Sequence, residues 1–149
     1  MKSYREKMDD IMEESRKKSV KRCLSMGFPK FEGIADLIET DKANGTNYVL
    51  QFSETWKKET NQMVDEQDED FQTIRKAEIT ILEELKELRD EYKAIFMKAH
   101  DKAKNIEDFN EKEKCYAESN KKHEELMNEQ ERRIDEFEKQ YYASKASTI

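Results

Sequence analysis

From Phe71 to Tyr141 the apolar side chains return in an unbroken heptad register, the pattern of a helix with one buried stripe. The a positions are Phe71, Glu78, Leu85, Tyr92, Ala99, Ile106, Glu113, Asn120, Met127, Ile134 and Tyr141. The d positions are Ile74, Ile81, Leu88, Ile95, Lys102, Phe109, Tyr116, His123, Gln130 and Phe137. Fifteen of these 21 positions are apolar or aromatic, which predicts a long helix packed on others. Upstream, Val49, Phe52, Trp56 and Met63 keep helical steps. Joining Met63 to Phe71 takes two four-residue steps through Gln67, an insertion that locally unwinds a left-handed supercoil. The long helix is therefore expected over 47–143, with a flexible tail at 144–149. It either continues and self-associates, or breaks and folds back. Its weakest stretch is Lys102 to Asn120, where Lys102, Glu113 and Asn120 fall on the seam and Asn105, Asp108 and Asn110 can start a turn.

The helix breakers Gly27, Pro29, Gly33 and Gly45 all lie upstream, and they divide the chain. Residues 1–26 form a predicted amphipathic helix opened by Ser3-Tyr4-Arg5-Glu6, which has the spacing of a capping box. Tyr4, Met8, Ile11, Met12, Ser15 and Ser19 follow at three- and four-residue steps. That stripe is thin, so this helix is expected to dock on a neighbour. Residues 27–46 read as a Gly/Pro turn, pinned by Phe28 and Phe31, and a short helix carrying Ile34, Leu37 and Ile38. Asn44-Gly45 stops that helix, and Thr46 or Asn47 caps the next.

The fold class expected is all-α: short N-terminal helices plus a long heptad-patterned helix forming a coiled coil or multi-helix bundle. A two-stranded parallel zipper favours Ile or Val at a with Leu at d. This seam instead uses Phe, Tyr and Met, and it is flanked by Phe96, Ala103, Ala117 and Leu126. The wider apolar face points to three or four helices in the bundle. The expected interface residues are Trp56, Phe71, Ile74, Ile81, Leu85, Leu88, Tyr92, Ile95, Ile106, Phe109, Tyr116, Met127, Ile134, Phe137 and Tyr141. The polar seam residues either fix register by pairing or mark where the bundle opens.

Composition narrows the class of work. Charged residues make up 42% and hydrophobic ones 35%, a poor ratio for a single compact core. Thirteen Phe and Tyr plus one Trp, with one Pro and three Gly, speak against disorder. The net charge is −7; residues 1–45 carry 10 Lys/Arg against 9 Asp/Glu, so the remainder is acidic and repels nucleic acid and anionic lipid. Arg16, Lys17, Lys18, Lys21 and Arg22 form the one basic cluster, read as a nucleic-acid or import patch or as an ordinary solvated face. Ser19 and Ser25 each follow an Arg by three residues, a phosphorylation spacing.

Carboxylate pairs are guaranteed by this composition and carry no signal for catalysis. His100 and His123 form no metal-ligand spacing, and no cofactor or metal is expected. Asp65-Glu66-Gln67-Asp68-Glu69-Asp70 lacks the Gly of a calcium loop and reads as solvated helix surface or a dock for a basic partner. Cys23 and Cys115 are 92 positions apart and form no pair. With no apolar run longer than the four residues Ala94 to Met97, they predict a soluble intracellular protein, cytoplasmic or nuclear, without membrane contact. The expectation is a non-enzymatic scaffolding coiled-coil protein that self-associates, or binds another helical protein, to assemble a complex of chromosome-axis, cytoskeletal or tethering type. The alternatives are a compact helical-bundle adaptor and a nucleic-acid-associated protein acting through residues 16–22.

Overall fold

The computed structural model describes residues 2–147. They form seven α-helices and, among these residues, no strand. The helices are α1 (Tyr4–Ser25), α2 (Ile34–Asn44), α3 (Tyr48–Asp65), α4 (Glu69–Glu84), α5 (Lys86–Ala103), α6 (Phe109–Cys115) and α7 (Ala117–Ser147). No helix among the described residues is long and apolar enough to cross a membrane. The chain divides into two compact units, Met1–Gln72 and Thr73–Ile149.

In the first unit α1 packs antiparallel on α3, and α2 lies on the same helix. Ser3 caps α1, its Oγ accepting from the Glu6 amide at 3.2 Å. The end of α1 is a Schellman motif: the Phe28 amide donates to the Cys23 carbonyl at 3.1 Å and the Gly27 amide to that of Leu24 at 3.2 Å. The motif needs a left-handed residue, and Gly27 supplies it with φ +95°. Once the chain is turned this way, Phe28 and Phe31 join Cys23, Leu37 and Phe52 in the core, with Val20, Ile34, Tyr48, Val49 and Trp56 around them. Gly45, at φ +66°, closes α2.

The cap of α3 differs from expectation. Asn47 holds the cap position, but its side chain accepts from the Gln51 side chain and not from a backbone amide of the helix. Asp41, from the last turn of α2, reaches forward to accept the Tyr48 and Val49 amides at 2.9 and 3.0 Å, and Thr46 donates to the same carboxylate. Burial works against the Asp41 anion, but these hydrogen bonds outweigh it and hold the carboxyl below its ordinary range.

The single helix expected over 47–143 is instead five segments. The first interruption, Glu66 to Asp68, falls where the stripe needed its four-residue steps through Gln67. Asp68 there accepts the Phe71 amide at 2.9 Å, and Glu69 and Asp70 occupy the first turn of α4, where a helix dipole favours anions. The acidic run is thus a helix start, where a continuous helix surface was expected. The second interruption is Leu85 alone, buried between α4 and α5. The third, Lys104 to Asp108, lies inside the stretch read as weakest and reverses the chain. Asp108 caps α6, accepting from the Asn110 amide at 2.8 Å, and Tyr116 then separates α6 from α7. Residues 144–147, expected in a flexible tail, continue α7; the last two residues lie outside those described.

In the second unit α7 therefore returns antiparallel along α5 and the α4 segment. The pairs Phe96–Tyr116, Tyr92–His123 and Glu84–Arg133 ascend one arm as they descend the other.

Gly27→Ala should lower stability by about 1 kcal/mol: the position is open to a Cβ, so only the left-handed backbone opposes the methyl, and urea unfolding would read the difference. Ser19 Oγ is buried without a hydrogen-bond partner, so Ser19→Ala should leave stability unchanged or raise it by about 1 kcal/mol in the same assay.

Candidate partner-binding surfaces

On α1, the residues facing α3 are small. Ser15, Ser19 and Cys23 are each 0% exposed, so the two helices approach closely. Trp56 of α3 closes the joint. Its indole N–H is shared between the Met12 carbonyl at 3.1 Å and Ser15 Oγ at 3.0 Å, and Ser15 Oγ lies 2.7 Å from Thr60 Oγ1. Burial pushes the Cys23 thiol pKa up against its hydrogen bond with Thr55. Trp56 is thus an intramolecular packing residue that also walls an apolar groove of about 370 Å³ with Met12, Ile34 and Thr60.

The basic cluster sits on the flank of the same helix. Arg16 is bound to Glu13 at 2.9 Å and donates to the Glu32 carbonyl at 2.6 Å. Arg22 is bound to the buried Glu59 at 2.7 Å, and Lys18 faces Glu14 at 3.9 Å. Lys17 and Lys21 are exposed. Ser19 points into the α1–α3 joint with no exposed surface, whereas Ser25 is exposed, its Oγ donating to the Arg22 carbonyl at 2.6 Å.

The second unit carries most of the expected seam. Phe71, at the end of the first unit, is buried against Tyr4 with ring centroids 4.8 Å apart. Ile74, Ile81, Leu85 and Ile134 are buried. Leu88, Tyr92, Ile95, Ile106, Tyr116, Phe137 and Tyr141 are half-buried. Two expected seam residues lie outside: Phe109 is 70% exposed and Met127 44%. After the reversal at Lys104 to Asp108 the register carried through from α4 misses the start of α7 and meets the covered residues again at Ile134, Phe137 and Tyr141. Phe109 opens the short α6, and on α7 the covered line passes through Ser119 and Leu126, one residue before Asn120 and Met127.

The hairpin is held by rings near its turn and ion pairs further down. Phe96 lies 5.7 Å from Tyr116 and stacks at 6.1 Å on His100, whose Nδ1 is 3.1 Å from the Tyr116 hydroxyl. Tyr92 lies 5.0 Å from His123. The two histidines thus pack against tyrosines, a role that His-to-His spacing could not reveal. Glu78, another polar seam residue, binds Arg75 on its own helix. Lower down, Arg133 reaches Glu84 at 3.4 Å while its Nε holds Glu129 at 2.8 Å. Arg132 holds the other side of the Glu129 carboxylate at 2.7 Å.

The two arginines, Arg132 first, hold the Glu129 pKa at about 2. Its folded value lies below the unfolded one, so this contribution is present above the ordinary carboxylate pKa and is lost as pH falls towards about 2. In Arg132→Gln/Arg133→Gln the Glu129 carboxyl should titrate near the ordinary 4.5, as followed by NMR of the side-chain carbon.

Among the described residues no cluster of His, Cys, Asp or Glu could hold a metal ion. Compared with known proteins, the chain matches no family model, no curated protein and no solved structure.

Proposed function

We propose that this chain is a non-enzymatic structural subunit that self-associates through its α5–α7 hairpin and so assembles a larger complex. The observation that carries this reading is the half-covered seam. A helix buries one stripe against a neighbour, and two helices cannot enclose a face as wide as this one. Leu88, Tyr92, Ile95, Phe96, Phe137 and Tyr141 remain half-buried, and Phe109 and Met127 are exposed. Further helices laid on this face bring the seam to the three or four its aromatic residues suit. The helical arms are segmented, so the subunit acts as a bundle-forming hairpin in place of a continuous rod.

The perturbed carboxylates support a structural role. Asp41 is lowered by the amides and hydroxyl it caps and Glu129 by two arginines of its own helix, so both are held as anions by structural partners. A second reading, a compact adaptor that stays monomeric and binds a partner, is favoured by the folding-back of α7 and by the apolar groove beside Trp56.

Size-exclusion chromatography with light scattering separates the two. Wild type should run as an oligomer. Ile95→Asp, at a half-buried position, should lower the oligomer order by at least one subunit while circular dichroism remains helical. A helical wild-type monomer at every concentration tested would favour the adaptor.

A further inference from the structure

The two flanks of the hairpin carry opposite charge. On α5, side chains three and four residues apart share a flank. Lys86, Arg89 and Lys93 fall together on one side of the seam. Glu87 and Glu91, continuing from Glu84 one turn earlier, fall on the other. The return helix sharpens the difference. α7 adds Glu125 and Glu129 to the acidic side and His123 with Leu126 to the basic side.

Each flank is a groove with an apolar floor. The acidic one is about 600 Å³, floored by Leu85 and Leu88, with five glutamates against Arg132 and Arg133. The basic one is about 520 Å³, floored by Tyr92 and Leu126, with Lys86, Arg89 and Lys93 against Glu83 and Asp90. Internal pairing answers part of the acidic charge: Glu84 and Glu129 meet arginines, and Lys122 binds Glu91 at 2.7 Å and Glu125 at 3.7 Å. Among the described residues Glu87, Lys86 and Lys93 have no recorded ion pair, and all three are exposed.

We propose that a second copy of this chain fills the groove, the basic flank of one hairpin lying on the acidic flank of the next. This rests on the self-association argued above and adds its direction. The two surfaces differ, so the contact is heterologous, and each docked copy still presents one unused flank. Complementary charge selects the pairing and the orientation, while Leu85, Leu88, Tyr92 and Leu126 supply the apolar burial.

Paired charge reversals in the full chain, followed by sedimentation velocity, test this. Lys86→Glu/Lys93→Glu gives a hairpin with two acidic flanks, and Glu87→Lys/Glu125→Lys one with two basic flanks. Both should associate at least about tenfold more weakly than wild type. Mixed in equal amounts they should associate again, because each now offers what the other lacks. Net charge alone makes a different forecast. The first variant moves from −7 to −11 and the second to −3, so general repulsion would make the second associate more strongly than wild type.

Equal association of wild type and both variants, stronger association of the −3 variant, or a mixture that stays apart would each overturn the proposal while leaving self-association intact. A helical wild-type monomer would remove both. Where a reversal unfolds the chain by circular dichroism, the Lys→Gln and Glu→Gln versions take its place; each should weaken association, and unchanged association overturns the proposal.

Discussion

In a chain this rich in charge an apolar stripe on a helix can be covered only by another helix, and the number of helices available in each unit governs what that unit becomes. The first unit has α1 and α2 to lay on α3, and the turn between them carries Phe28 and Phe31 into the remaining gap. Its core is closed, with Leu37 and Phe52 at 0% exposure. In the second unit α7 returns along α4 and α5, and among the described residues the only other helix is the seven-residue α6. The same kind of stripe is there left half open, with Leu88, Tyr92 and Ile95 half-buried.

The two units also join their helices by different means. Between α1 and α3 the contact residues are Ser15, Ser19 and Cys23, so the backbones lie close and a few hydroxyls are answered by Trp56 and Thr60. Between α5 and α7 the buried residues are Ala99, Ala103, Ser119 and Leu126, half-buried rings flank them, and the polar links are cross-helix ion pairs at the rim. A close joint of small residues tolerates little displacement, since any larger side chain must push the helices apart. The exposed ion pairs at the α5–α7 rim each contribute little beside this burial.

Several elements could be read before the structure because their causes are local. Ser3, Asn44-Gly45 and the Phe28–Phe31 turn act within a few residues of themselves, and the stripe from Ile74 to Ala99 lies within a helical arm whose only interruption is Leu85. The reversal at Lys104 to Asp108 was visible as polar residues on a seam and as the turn-forming Asn105, Asp108 and Asn110, but its place was not fixed, because Asp108 caps a new helix without any Gly or Pro to announce it. Past that point a heptad count runs out of step through α6 and the start of α7, which is why Phe109 and Met127 were placed inside and Leu126 was counted as a flank, and it is in step again at Ile134 and Phe137. The Asp41 cap was hidden for a related reason. A side chain that caps the helix after its own depends on how two helices meet, and spacing alone does not express that.

The charge clusters that stood out in the sequence act chiefly on the chain itself. Asp68, Glu69 and Asp70 start α4, and Arg16 and Arg22 tie α1 to the Glu32 carbonyl and to Glu59. The more consequential charges are spread too evenly to form a run: Lys86, Arg89 and Lys93 alternate along the chain with Glu87, Asp90 and Glu91. Read linearly they cancel. Wound onto a helix, with a seam between them, the lysines and Arg89 separate from Glu87 and Glu91 onto opposite flanks, and the return of α7 deepens both. The separation of charge between the flanks is therefore a property of the helical period. The chain's overall charge of −7 opposes every mode of association alike and, screened beyond about 8 Å in physiological salt, leaves the choice among them to the flanks in contact.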